Sequence, residues 1–125
     1  MIKRFEHVGI LVSDMERSLA FYKEVFGLQL RLRAALNEQV ELAFLYHPDQ
    51  PDFEVELIGG KAMDAKEGFV NHLAVRVENI DAAMERLKQL GVKMRDEVPR
   101  VILNRVKIAF FEGPDGEALE LVERE

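Results

Sequence analysis

Hydrophobic and polar positions follow a strand–helix–strand order at the start of the chain. Residues 5–12 are largely apolar and predict a buried strand. Apolar residues then recur at helical spacing over 15–26, after the capping residue Asp14 and before Gly27, which predicts a helix between these two signals. Residues 28–33 alternate between apolar and polar side chains, as is typical of a strand with one solvated face.

Two further strands complete the first half. Residues 39–46 and 53–58 predict the third and fourth strands, and the segment 47–52, with two prolines and two aspartates, predicts the turn between them. The segment from Gly59 to Gly68 mixes glycine with charged and small residues and lacks strand periodicity. It therefore predicts the link to the second half.

The second half repeats the same order of elements. The G-P-D-G sequence at 113–116 predicts a tight turn before the final strand. The predicted elements are a strand at 70–77, a helix from the cap Asn79 through Leu90 that stops at Gly91, and strands near 92–95, 105–111 and 117–123.

Each half carries one histidine and one glutamate at matching positions. His7 precedes Glu56 by 49 residues, and His72 precedes Glu120 by 48. The two glutamates lie 64 residues apart, a period that indicates duplication of a supersecondary unit rather than a solenoid. Because imidazoles and carboxylates are ligands of divalent metals, the pattern predicts two halves that meet around one ion.

Strand parity leaves one ligand undecided. Glu54 and Glu56 share a face of their predicted strand, so periodicity cannot choose between them. Glu120 lies between two leucines, where a buried carboxylate without a partner would be costly. His47 lies in the predicted turn and has no ligand-type counterpart in the repeat, so we expect it to be exposed.

Composition narrows the function classes. The 125 residues are 48% hydrophobic and 32% charged, which fits one domain with a real core. The net charge of −6, with basic residues scattered among acids, disfavours nucleic acid and anionic membranes as partners. The absence of cysteine excludes disulfides and thiolate sites. The sequence has no long apolar run of the kind that forms a signal peptide or a membrane span, so we expect a cytoplasmic protein.

Four segments together carry a family resemblance over roughly residues 5–123. They are H-V-G-I-L-V-S-D-M-E-R-S-L-A-F-Y-K-E-V-F-G-L, V-E-L-I-G, N-H-L-A-V-R-V-E-N-I-D-A-A and G-P-D-G-E-A-L-E-L-V-E. In this order and at these spacings, the chain resembles the vicinal oxygen chelate superfamily. That superfamily includes glyoxalase I, methylmalonyl-CoA epimerase, extradiol dioxygenases, and bleomycin- and fosfomycin-resistance proteins.

The resemblance implies an α+β fold of two βαβββ modules, whose mixed sheets form an open cup with the helices on the outer face. It implies one domain over 1–125, with module 1 at about 4–59, a linker at about 60–68 and module 2 at about 69–125. It further implies a homodimer in which the modules pair either within one chain or across two.

The resemblance also implies a metal site. Family ligands lie on the first and last strand of each module, which maps them onto His7, Glu56, His72 and Glu120. This set suits Ni²⁺, Co²⁺ or Zn²⁺ best, with Mn²⁺ and Fe²⁺ as alternatives. The resemblance implies chemistry through a metal-bound enediolate, with Glu120 first and Glu56 second as the proton-transferring carboxylate.

Two subfamilies compete. The G-P-D-G turn and compact length resemble bacterial glyoxalase I, also called lactoylglutathione lyase. That subfamily usually has an arginine where this chain has Leu11 and an asparagine where it has Gly60, and these groups help to hold glutathione. Conversely, Glu41 in Q-V-E-L-A-F resembles a second catalytic acid of some methylmalonyl-CoA epimerases. Glu41 is alternatively a residue on a solvated strand face.

The leading prediction is a metal-dependent, glyoxalase I-like lyase or isomerase that acts on a small-molecule substrate, a 2-oxoaldehyde thiol adduct. Epimerase-like racemisation of an acyl-CoA is the first alternative. A metal-free protein that binds an antibiotic or another small ligand is the second.

Overall fold

The computed structural model describes residues 5–61, 72–102 and 105–124. The chain divides into two compact units, Met1–Lys66 and Glu67–Glu125, called modules 1 and 2 below. Most of the predicted linker at 60–68 lies outside the described residues. The elements are β1 (His7–Leu11), α1 (Met15–Phe26), β2 (Gln29–Ala35), β3 (Val40–His47), β4 (Gln50–Gly60), β5 (Leu73–Arg76), α2 (Ile80–Gln89), β6 (Arg100–Ile102), β7 (Val106–Glu112) and β8 (Ala118–Glu123).

The two modules have the same sheet topology. Module 1 forms a four-stranded sheet in the order β1-β4-β3-β2, and module 2 forms one in the order β5-β8-β7-β6. In each module the first and last strands pair in parallel, whereas the remaining pairs are antiparallel. The predicted α+β fold of two βαβββ modules with mixed sheets is confirmed.

The predicted capping signals set the ends of the helices. The side chain of Asp14 accepts a hydrogen bond from the backbone N–H of Arg17 at 3.1 Å, and that of Asn79 accepts one from Ala82 at 3.0 Å. Each side chain satisfies an N–H that has no partner within its helix. Gly27 follows α1 with φ 71°, a left-handed conformation that glycine adopts at low cost. Neither described helix is long and apolar enough to cross a membrane.

Each helix covers one face of its own sheet with apolar side chains. In module 1, α1 contacts β4, and Gly59 lies so close to the helix that an added Cβ would be 3.2 Å from the Met15 side chain. In module 2, α2 contacts β7 and β8. The buried residues on these helix-facing surfaces include Leu19, Tyr22, Ala43, Leu45 and Leu57 in module 1, and Ile80, Met84, Leu87, Phe111, Leu119 and Leu121 in module 2.

The predicted turn at 47–52 is wrong in length. β4 begins at Gln50, which pairs with His47 across a turn at residues 48–49. The ladder then shifts register between Tyr46 and His47. Proline cannot donate a hydrogen bond to a regular ladder. Pro51 is tolerated here because the ladder is interrupted beside it.

The predicted strand at 92–95 is also wrong. This segment makes only an isolated bridge, between Met94 and Phe111. The backbone N–H groups of Arg95 and Asp96 both donate to the carbonyl oxygen of Phe110, so the regular alternation of a ladder breaks there. The edge of the sheet is instead β6, Arg100–Ile102.

An ion-pair cluster joins α1 to the strands β2 and β3. The guanidinium of Arg33 donates to both carboxylate oxygens of Glu41, at 3.1 and 2.9 Å, and lies 2.6 Å from Glu16. The hydrogen bonds from Arg33 lower the pKa of the Glu41 carboxyl below its ordinary value near 4.5. Glu41 is therefore held ionised by a cation on the neighbouring strand.

We expect Ser18→Ala to raise the free energy of unfolding by about 1 kcal/mol. Ser18 is fully buried, and its Oγ has no hydrogen-bond partner among the described residues, so the hydroxyl is desolvated without compensation. Urea unfolding of parent and variant measures the change, with exposed Ser13→Ala as the control. A loss of stability in Ser18→Ala would contradict the prediction.

Glu41→Gln should lower the free energy of unfolding at pH 7 by about 0.5 kcal/mol, because the ion pair is partly exposed and screened by solvent. The pKa of Glu41 is lowered on folding, so its contribution is present above the ordinary glutamate pKa and is lost as pH falls through the folded-state pKa. Unfolding measured between pH 7 and 3 should show the difference shrinking as pH falls. Glu38→Gln, an exposed site in the β2–β3 loop, is the control, and a difference that grows towards pH 3 would contradict the assignment.

Candidate functional site

In module 1, the parallel pairing of β1 with β4 brings His7 and Glu56 together. Gly9 is the register partner of Glu56, and His7 lies two residues before Gly9 on the same face. The His7 Nε2 atom is 3.9 Å from Glu56 Oε1. Glu56 is the more enclosed of the two, with 15% of its side chain exposed against 42% for His7.

Gly9 leaves the space that the Glu56 carboxylate occupies. A Cβ added at Gly9 would lie 3.3 Å from Glu56 Oε1 and 3.2 Å from Ile58 Cδ1, closer than most real Cβ contacts. The missing side chain therefore lets the carboxylate lie over β1 beside the imidazole.

Module 2 repeats this geometry at His72 and Glu120. Ala74 is the register partner of Glu120 in the parallel β5–β8 ladder, and His72 again lies two residues earlier. The His72 Nε2 atom is 3.8 Å from Glu120 Oε1, and 12% of the Glu120 side chain is exposed. The duplicated sequence pattern thus corresponds to a duplicated pair of side chains.

The distance between histidine and glutamate in each pair can be compared with the spacing of two donor atoms on one divalent metal ion. Zinc bonds to histidine nitrogen and carboxylate oxygen are about 2.0–2.2 Å long, so two donor atoms on one such ion lie about 3.4 Å apart at the tetrahedral angle and about 4.4 Å apart at most. The separations of 3.9 and 3.8 Å fall within this limit. Within residues 5–61, 72–102 and 105–124, no group of three or more His, Asp or Glu side chains stands in position to hold a metal. Each module by itself therefore brings together one imidazole and one carboxylate among its described residues.

Glu54, the alternative to Glu56, is engaged by a cation. The Nη1 atom of Arg31 lies 2.8 Å from Glu54 Oε2, and the guanidinium also stacks 4.1 Å from the ring centroid of Tyr46. The negative charge of Glu54 is thus balanced by Arg31, whereas Glu56 lies beside His7. This difference favours Glu56 over Glu54 as the candidate metal ligand of module 1.

A second carboxylate contacts the far side of the His7 ring. The Nδ1 atom of His7 lies 2.8 Å from Glu6 Oε1. This hydrogen bond, with the negative charges of Glu56, Glu6 and Glu54, raises the pKa of His7, and burial opposes the shift only in part. Sequence reasoning missed Glu6 because neighbouring strand residues ordinarily point to opposite faces, and Glu6 immediately precedes β1.

The register of each sheet also places a phenylalanine opposite the glutamate. Phe44 is the register partner of Glu56, and Phe110 is that of Glu120, so each ring lies on the face of its sheet that carries the glutamate. The Phe110 ring also meets the His72 ring edge-on, with centroids 5.4 Å apart. Both phenylalanines are half-buried. Each glutamate therefore has an aromatic neighbour on its own sheet face.

Glu41 lies on the other face of the module 1 sheet. It is three residues before Phe44 on β3, so strand alternation directs it away from Glu56 and towards the face covered by α1, where it pairs with Arg33. This position gives no support to a role for Glu41 as a catalytic acid. His47 is exposed, as expected, and accepts a hydrogen bond from the Asp49 N–H at its own turn.

Two positions distinguish this chain from the usual glutathione-binding pattern. Leu11 lies on the same sheet face as His7, four residues further along β1, and 42% of the residue is exposed. Gly60 has φ 140°, and an added Cβ would lie 2.0 Å from the carbonyl oxygen of Gln39. Backbone packing therefore excludes any side chain at Gly60.

Comparison with characterised structures supports the fold. The chain aligns with a glyoxalase I variant from Zea mays at a TM-score of 0.83 and 30% identity, covering 97% of this chain and 44% of the maize protein. An antibiotic-binding protein from Streptomyces, TnmS3, matches at a TM-score of 0.81 and 22% identity, covering 99% of this chain and 98% of that one. The latter likeness concerns the fold alone.

Several proteins of similar sequence match nearly the whole chain. An uncharacterised Bacillus subtilis protein, YwbC, is 38% identical, covering 99% of this chain and all of the relative. The lactoylglutathione lyase of Salmonella typhimurium is 36% identical over 96% of this chain and 92% of that enzyme. A lactoylglutathione lyase of Arabidopsis thaliana, GLX1, is 35% identical over 98% of this chain, which spans 44% of the plant enzyme.

The family model described as Glyoxalase/Bleomycin resistance protein/Dioxygenase superfamily matches residues 4–121. With the repeated βαβββ topology and the duplicated His–Glu pairs, this match shows that the chain belongs to the glyoxalase/bleomycin resistance protein/dioxygenase superfamily.

Proposed function

We propose that the chain is a divalent-metal-dependent lyase or isomerase of the glyoxalase I type. In this proposal His7, Glu56, His72 and Glu120 bind one ion, with the two modules contributed by one chain or by two chains of a homodimer. The observation that carries the proposal is the repetition of one geometry: in both modules a histidine Nε2 lies within 4 Å of a glutamate Oε1 on the same sheet face.

The charges of the four side chains suit this role. Two neutral imidazoles and two carboxylates balance a divalent cation, and this mixed nitrogen–oxygen set accommodates Ni²⁺, Co²⁺ or Zn²⁺, with Mn²⁺ and Fe²⁺ as alternatives. A bound ion would supply Lewis-acid stabilisation of negative charge on two adjacent substrate oxygens.

The glutamates would carry the proton. In a hemithioacetal of a 2-oxoaldehyde, a carboxylate takes the proton from the carbon that bears sulfur and returns it to the adjacent carbonyl carbon, while the hydroxyl proton moves to the former carbonyl oxygen. A 2-hydroxy thioester thus forms without an external oxidant. Glu120 is our first choice for this base because of the family resemblance, and only 12% of its side chain is exposed. Glu56 is the second.

The substrate class follows from the relatives and remains part of the proposal. Enzymes named lactoylglutathione lyase match nearly the whole chain at about 35% identity. We therefore propose a 2-oxoaldehyde thiol adduct as substrate, without fixing the thiol, because Leu11 and Gly60 replace two groups of the usual glutathione pattern.

Two other functions rank lower. Glu41 was a reason to consider epimerase-like racemisation of an acyl-CoA, but it is paired with Arg33 on the opposite sheet face. Metal-free binding of a small ligand gives no reason for the repeated His–Glu pair. The experiments below separate all three functions.

Metal binding is the first test. We expect Ni²⁺, Co²⁺ or Zn²⁺ to raise the Tm of the metal-stripped protein, because a ligand bound at 100 times its Kd stabilises the folded state by about 2.7 kcal/mol. His7→Gln should lose most of this shift, whereas the matched variant His47→Gln should keep it. Titration calorimetry with each metal measures the affinity. Equal affinities in the two variants would exclude His7 as a ligand.

Turnover is the second test. We expect metal-loaded Glu120→Gln to keep its fold and lose at least about a hundredfold in kcat on the methylglyoxal–glutathione hemithioacetal, because a neutral amide cannot accept the proton. His47→Ala should match the parent. Hydrogen exchange on methylmalonyl-CoA is assayed in parallel. Activity on that substrate alone would replace the proposed function with the epimerase, and unchanged kcat in Glu120→Gln would remove this residue as the base.

A further inference from the structure

The Glu6–His7 hydrogen bond has no assigned role in the proposed site. Glu6 is not a member of the fourfold ligand set, and it lies just outside β1, although its carbonyl oxygen still accepts a hydrogen bond from the Glu54 N–H at 2.9 Å. Its backbone is thus tied to β4 while its carboxylate reaches the His7 ring at 2.8 Å.

The two nitrogens of the His7 ring face different partners. Nδ1 contacts Glu6 Oε1, and Nε2 lies 3.9 Å from Glu56 Oε1. A carboxylate accepts hydrogen bonds and cannot donate them, so contact with Glu6 requires a proton on Nδ1. In the neutral ring, that tautomer leaves the lone pair on Nε2, which is the nitrogen nearest Glu56.

We propose that Glu6 is a positioning residue that holds His7 with Nε2 presented, beside Glu56, as the metal-binding nitrogen. The inference rests on the proposed metal site and adds to it a residue that contacts no metal. Its physical basis is general: a carboxylate on the second nitrogen of a ligating histidine fixes the tautomer and the ring orientation and makes the ligand more basic.

The exposure of Glu6 limits the size of the effect. The side chain is 80% exposed, so water competes for the same hydrogen bond. Removal of such partners typically weakens metal binding by 10–100-fold, and for this exposed carboxylate we expect about three- to tenfold.

The first experiment measures the tautomer without metal. Nitrogen-15 shifts of the His7 ring are recorded in metal-free parent, Glu6→Gln and Glu6→Ala at a pH where the ring is neutral, with the His7 signals assigned by their loss in His7→Gln. The parent and Glu6→Gln, whose amide oxygen still accepts, should show mainly the Nδ1–H form. Glu6→Ala should shift towards Nε2–H. An unchanged ratio in Glu6→Ala would overturn the proposal.

The second experiment measures metal affinity by calorimetry. We expect Glu6→Ala to bind Co²⁺ or Ni²⁺ three- to tenfold more weakly than the parent, and Glu6→Gln to restore most of the loss. The surface variant Glu38→Gln controls for the removal of one negative charge. Equal weakening in Glu6→Ala and Glu6→Gln would mean that charge, not orientation, is responsible, which also overturns the proposal.

The two experiments distinguish failure of the inference from failure of the proposed function. If the parent binds no divalent metal, the proposed function fails, while the nitrogen shifts still report whether Glu6 sets the tautomer. If the parent binds metal and Glu6→Ala is indistinguishable in both experiments, only the positioning role fails.

Discussion

The parallel pairing of the first and last strand of each module is the constraint on which the site depends. In a parallel ladder, register partners point to the same face of the sheet. The β1–β4 and β5–β8 pairings therefore decide that a histidine near the start of one strand meets a glutamate near the middle of the other. A slip of one residue in either ladder would send the glutamate to the face covered by the helix.

This constraint also separates the two candidate ligand carboxylates from two carboxylates that pair with arginines. Glu56 and Glu120 lie on the face away from the helices, each beside an imidazole and an aromatic ring. Glu41 lies on the opposite face with Arg33, and Glu54 shares the face of Glu56 but is paired with Arg31. The sheet face on which each glutamate lies and its nearest cation together distinguish four glutamates that the sequence pattern alone does not.

Local signals predicted most of the fold. Asp14 and Asn79 cap their helices, and the G-P-D-G turn forms before β8, because these residues satisfy or shape the backbone through near neighbours. The predicted strand at 92–95 was wrong because the conformation of this segment depends on partners that are far away in the sequence. Backbone N–H groups at the end of this segment donate to the carbonyl oxygen of Phe110, which is distant in sequence and cannot be inferred from local periodicity.

The candidate site was predictable as residue types and not as a complete geometry. The repeat identified His7, Glu56, His72 and Glu120, and the structure places them as two close pairs, one in each module. The Glu6 contact was not predictable, since it depends on the rotamer of a side chain just outside a strand. The shared position of Phe44 and Phe110 was hidden as well. Phe44 precedes Glu56 by 12 residues, whereas Phe110 precedes Glu120 by 10, so a fixed repeat offset does not align them.

That difference in hairpin length has an evolutionary consequence. The extra residues of the first module are absorbed at the far end of the hairpin, around residues 48–53, while the ladder beside Glu56 stays in register. Insertions and deletions at these tips can accumulate without moving either histidine or glutamate. Relatives of this chain can therefore differ in the length of these tips while each histidine stays beside its glutamate.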